Sequence, residues 1–96
     1  MLILVSYDVS TIDNTGKWRL ARIAKACQNF GQRVQYSVFE CQVNEMQREE
    51  LQRTLLDLID EEEDSLRFYR LAEPLEKHRQ EYGKNKATNF EDILIL

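Results

Sequence analysis

The first nine residues constrain this chain more than any other stretch. Leu2–Val9 (LILVSYDV) carries Leu2 and Leu4 on one parity and Ile3, Val5 and Tyr7 on the other. A segment so short and so rich in aliphatic side chains reads as a buried strand. Successive strand side chains point to opposite faces, so this one needs cover on both sides. With 96 residues, 43% of them hydrophobic, the chain is one domain able to build a small core. What covers the second face is the question its fold must answer.

Helix and strand signals alternate along the rest of the chain. Ser10–Asn14 is a mostly polar turn that ends the strand and supplies Asn14 or Thr15 as a helix N-cap. From about Gly16 to Asn29, Leu20, Ile23, Ala24, Cys27 and Phe30 recur at three- and four-residue steps, with Trp18, Arg22, Lys25 and Asn29 opposite them. One face is core and the other largely basic. Gly31 reads as a left-handed C-terminal cap. Arg33–Val43 (RVQYSVFECQV) is strand-like, but its apolar residues switch from even positions (Val34, Tyr36, Val38) to odd ones (Phe39, Cys41, Val43). One flat strand cannot bury both sets on one face, which predicts two short strands or a bulge near Ser37. Asn44 and Gln47 have capping-box spacing, and Met46, Leu51, Leu55, Leu58 and Ile59 form the stripe of a second helix. The carboxylates Asp60–Asp64 oppose the helix dipole at that end and predict fraying into a solvated loop.

Ser65–Leu71 (SLRFYRL) is another strand, closed by Glu73-Pro74 because a residue before proline is pushed out of helical space. Residues 72–90 form a polar connector, and 91–96 a C-terminal strand whose DILIL run is apolar on both parities. The order predicts an α+β domain over 1–96, a ferredoxin-like βαββαβ sheet with an extra C-terminal strand and both helices on one face. Nothing remains in the chain to cover the other face, and a bare apolar last strand would be an aggregation edge. Both features predict a homodimer with sheets packed face to face and 91–96 exchanged.

Thirteen basic against seventeen acidic residues give a net charge of −4, which excludes a protein whose whole surface coats nucleic acid. The charge is uneven: residues 1–40 carry a net +2, 41–64 a net −7 and 65–96 a net +1. Lys17, Arg19, Arg22, Lys25 and Arg33 thus set a basic first half against an acidic second helix. Such a face is either merely solvated or a surface on which an anionic polymer docks from one side. Cys27 and Cys41 are too few for a disulfide framework or metal knuckle and read as small buried hydrophobes, which points to a reducing cytoplasm. The apolar N-terminal run lacks the basic start and length of a signal peptide, and no segment approaches the length of a membrane span.

Candidate chemistry is sparse. The sole histidine, His78, lies among Glu76, Lys77 and Arg79 and reads as solvated, so neither a Ser/His/Asp nor a Cys/His set forms. Gly16, Gly31 and Gly83 are isolated, which excludes a glycine-rich phosphate loop, and the acidic run lacks the alternating ligands and central glycine of a calcium loop. Asp8 stands apart. A carboxylate closing an apolar strand cannot be buried cheaply and sits at the rim of a core, where ligands often bind. Its competing part is to cap an Asx turn.

Tyr7-Asp8 at the end of an apolar strand, a basic first helix, Gly31 and then Arg33–Glu40 (RVQYSVFE) resemble the CRISPR-associated protein 2 family of the spacer-acquisition machinery. The resemblance covers nearly the whole length and element order, except that Ala72–Asn89 carries no motif. It implies a ferredoxin-like homodimer whose C-terminal strand joins the partner's sheet and which bridges two integrase dimers on double-stranded DNA in antiviral defence. It also implies a Mg²⁺-dependent endonuclease cleaving phosphodiester bonds of RNA, single-stranded RNA included, or of DNA. Asp8 would be its metal ligand, with Tyr7, Arg33 and Phe39 as further catalytic positions. Lys17 and Arg19 fall near arginines of the family and, with Arg22 and Lys25, are assigned to nucleic-acid contact. Two copies of Asp8 brought together by symmetry would hold one Mg²⁺, polarising a phosphate oxygen and lowering the pKa of a bound water. The alternative is a non-catalytic scaffold whose dimer only spaces its partners along a duplex.

Overall fold

The structure, a computed structural model, describes residues 1–84. Its elements are β1 (Leu2–Asp8), α1 (Asn14–Gln28), β2 (Gly31–Gln35), β3 (Val38–Gln42), α2 (Glu45–Leu58), β4 (Ser65–Leu71) and a short α3 (Leu75–His78). β1 pairs antiparallel with both β3 and β4, and β2 pairs with β3, giving the sheet order β2-β3-β1-β4. This is the split βαβ arrangement of a ferredoxin-like domain, with the most apolar strand in the middle.

Register decides which parity of β1 meets the helices. Ile3 lies opposite Cys41 and Val5 opposite Phe39, so the odd residues of both strands share one face. Ile23, Ala24 and Cys27 of α1 and Leu51 and Leu55 of α2 close over that face to form the core. The even residues Leu2, Leu4 and Ser6 line the other face with Val38 and Glu40 on one side and Arg67, Tyr69 and Leu71 on the other. Leu2, Leu4 and Val38 are only half-buried there and Tyr69 is 46% exposed. Arg79, just past α3, reaches across to the Glu40 carboxylate at 3.1 Å.

Several local expectations need correcting. The N-cap of α1 is Asp13, whose carboxylate accepts from the Gly16 amide and the Thr15 hydroxyl at 2.8 Å each, so the helix starts at Asn14. α1 ends through Asn29 in right-handed geometry, and Gly31 opens β2 instead of capping the helix. Glycine is required there by close approach, since a Cβ would run into the Glu40 carbonyl and Cys41. The 33–43 segment is two strands joined at Tyr36 and Ser37, while the register irregularity lies between Arg33 and Gln35. The turn absorbs the change of parity.

The capping box of α2 is present, with Asn44 and Gln47 each bonding the other's backbone amide. Met46, however, is 78% exposed and leaves the apolar stripe. α2 stops at Leu58, and Glu61–Glu63 face solvent, but Asp64 turns inward instead of joining a solvated loop. Within the connector, α3 is a turn of helix starting after Pro74. Residues 85–90 of the connector and the expected strand at 91–96 lie outside the described residues. Among the described residues no helix is long and apolar enough to cross a membrane.

Candidate active site and nucleic-acid face

Asp8 is the last residue of β1, exposed, and opposite Ser65 at the start of β4. Even parity puts it on the same face as Leu2, Leu4 and Ser6, away from the helices. Among the described residues its carboxylate has neither hydrogen bond nor ion pair, and the cap of the following helix is made by Asp13. A solvated carboxylate with no internal partner is a ready oxygen ligand.

Tyr7, Arg33 and Phe39 do come together, on the helix side of the sheet. The rings of Tyr7 and Phe39 stack at 6.3 Å with 23° between their planes, and the Arg33 guanidinium lies 5.3 Å from the Phe39 centroid. Phe39 is fully buried and Tyr7 nearly so. Both pack beside Arg33, which is half-buried. Burial pushes the Tyr7 phenol above its ordinary pKa, with Arg33 pulling the other way. The Tyr7 hydroxyl and Arg33 Nε are both buried without a partner among the described residues.

Arg19 is paired with Asp64. Its Nε donates to Asp64 Oδ2 at 2.8 Å and its Nη2 to Oδ1 at 3.1 Å, a bidentate pair in which the Asp64 side chain is 0% exposed. Burial alone would raise the Asp64 carboxyl. Hydrogen bonds from Arg19, Asp60 and Ser10 outweigh it and hold the group below its ordinary value. No sequence signal could have found this pair, because its members are 45 residues apart.

The other first-helix cations do form an outward face. Lys17, Arg22 and Lys25 are exposed, and the Arg22 guanidinium stacks 3.6 Å from the ring centroid of Trp18, itself 58% exposed. Stacking holds the guanidinium in one plane without neutralising it. The flanking helix is different in sign: α2 exposes Glu45, Glu49, Glu50 and Asp57. Burial pushes the Cys27 and Cys41 thiols up to about 12 and about 11, so both are inert at neutral pH.

Among the described residues no group of three or more His, Cys, Asp or Glu is placed to hold a metal ion. Mg²⁺ commonly takes one or two carboxylates and keeps several waters. The exposed Asp8 carboxylate is an oxygen donor of the kind such an ion takes.

The chain belongs to the family described as CRISPR associated protein Cas2, whose profile matches residues 1–80. It is 56% identical over 96 residues, the whole of both chains, to the CRISPR-associated endoribonuclease Cas2 1 of Moorella thermoacetica. It is 50% identical, again over the whole of both chains, to the CRISPR-associated endonuclease Cas2 of Halalkalibacterium halodurans. Among solved structures, Cas2 of Streptococcus pyogenes superposes with a TM-score of 0.79 at 42% identity, covering 86% of this chain and 100% of the other.

Proposed function

We propose that the chain is a homodimer acting in CRISPR spacer acquisition, binding double-stranded DNA alongside the integrase, and that it is a Mg²⁺-dependent endonuclease on RNA or DNA. The observation that carries the reading is the placement of Asp8. It is exposed, unpaired among the described residues and on the sheet face the helices leave open. Packing two such faces together covers Leu2, Leu4 and Tyr69 and brings the two Asp8 carboxylates toward the two-fold axis. Full-length relatives named as endoribonuclease and endonuclease support the nuclease part. Two buried free cysteines support a reducing, cytoplasmic setting.

The residues divide the work by exposure. Asp8 of each copy offers an oxygen to one shared ion, which when bound supplies Lewis-acid stabilisation of charge on the scissile phosphate. Arg33, half-buried and packed against Phe39 on the helix side of the sheet, is a cation separate from the Asp8 face and would meet nucleic acid there, not the phosphate at the ion. Lys17, Arg22 and Lys25 meet backbone phosphates, which position a duplex without reading its sequence.

The scaffold alternative draws on one observation: among the described residues no group of three or more His, Cys, Asp or Glu is placed to hold a metal ion. Both readings share the basic face, which salt dependence tests. Duplex binding should weaken steeply with salt, and replacing Arg22 and Lys25 together by alanine should flatten the slope of log affinity against log salt by about two units. A slope equal to wild type would remove this face from the DNA contact.

A further inference from the structure

Asp64 sits on both flanks of Asp8 at once. Its Oδ1 accepts the Ser10 amide at 3.1 Å, two residues beyond Asp8 in the chain, together with Arg19 Nη2. Its Oδ2 accepts Arg19 Nε and the Asp60 amide at 2.9 Å. The next residue, Ser65, is the register partner of Asp8 on β4. Gly16 closes the same loop from the helix side, where a Cβ would collide with the Ser10 carbonyl. One buried carboxylate thus ties the exit of β1, the entry of β4 and the first helix into a single unit.

An ion pair whose carboxylate is covered while its guanidinium stays partly exposed adds little stability, since well-packed apolar side chains would serve as well. What it supplies is geometry, because a bidentate guanidinium fixes both direction and distance. We propose that Arg19 and Asp64 are positioning residues that hold the Asp8 carboxylate in place for the shared metal ion, so that Arg19 acts through Asp64 and not on nucleic acid. The inference rests on the Mg²⁺ reading above. A two-carboxylate site on an axis doubles any error in the placement of one ligand, and groups that orient metal ligands cost 10–100-fold in affinity when changed.

The test uses the full chain and four variants: Asp64→Asn, Arg19→Lys, Asp8→Asn, and Ile23→Val as a core substitution outside the clasp. Mg²⁺ affinity is measured by calorimetry and amide hydrogen exchange of Ser10 by NMR. Asp64→Asn should weaken Mg²⁺ binding about tenfold and speed exchange at Ser10, whereas Ile23→Val should leave both at wild-type values. Arg19→Lys keeps the charge but loses the fork, and should shift both in the same direction should Asp64→Asn fail to fold. Unchanged Mg²⁺ affinity in the clasp variants, or an equal loss in Ile23→Val, would overturn the proposal. Failure of the underlying reading looks different: wild type and Asp8→Asn would then bind Mg²⁺ alike, and the clasp would have no ligand to position.

Discussion

Asp8→Asn should abolish Mg²⁺-dependent cleavage by the purified protein, by 100-fold or more, and leave its thermal midpoint equal to wild type or higher. The two halves of this result have separate causes. Removing an anionic metal ligand forfeits Lewis-acid stabilisation worth several kcal/mol, and about 1.4 kcal/mol is already a factor of ten in rate. Folding loses nothing in exchange, because the Asp8 side chain is exposed and bonds to no described residue. In the dimer the substitution also relieves repulsion between two carboxylates, of about 1 kcal/mol at a water-like dielectric. Because the variant passes through the same purification, cleavage surviving in it identifies a contaminating nuclease or a site elsewhere. Lost cleavage with a lowered midpoint would instead make Asp8 a structural residue.

Phe39→Ala should have the largest effect on stability. Phe39, on β3, is fully buried in the core, stacked on Tyr7 and lying beside Arg33. Truncating a buried phenylalanine costs about 3–5 kcal/mol, a large share of the ~5–15 kcal/mol that holds a domain together. In a chain this small each kcal/mol moves the midpoint by about 4–8 °C, so a fall of the order of 20 °C is expected in a thermal melt. Any activity lost with it is lost through folding and through the placement of Arg33. Phe39→Leu separates the two: it keeps most of the volume and should retain cleavage at temperatures where the variant is folded. A folded Phe39→Leu with no cleavage would make the ring itself part of the chemistry.

These expectations also mark what could be read from the chain before folding. The element order, the Asn44–Gln47 capping box and the break after Gln35 were legible because periodicity and cap spacing are local signals. Asp8 was legible for the same reason, as a carboxylate interrupting an apolar run. The buried parity of β1 was not, since both parities are apolar; only the pairing of Val5 with Phe39 and Ile3 with Cys41 settles it. Gly31 was misread because a glycine after a helix looks the same whether it frees a backbone angle or makes room for a neighbouring strand. Asp64 stood hidden in a run of five acids, four of which are exposed, and the guanidinium that singles it out comes from the other end of the domain.

The central claim is that two chains share one ion through their Asp8 carboxylates, and calorimetric titration of Mg²⁺ into the purified protein tests it most directly. The expected stoichiometry is one ion per two chains, with binding absent from Asp8→Asn. One ion per chain, or binding that survives in Asp8→Asn, would contradict the shared site.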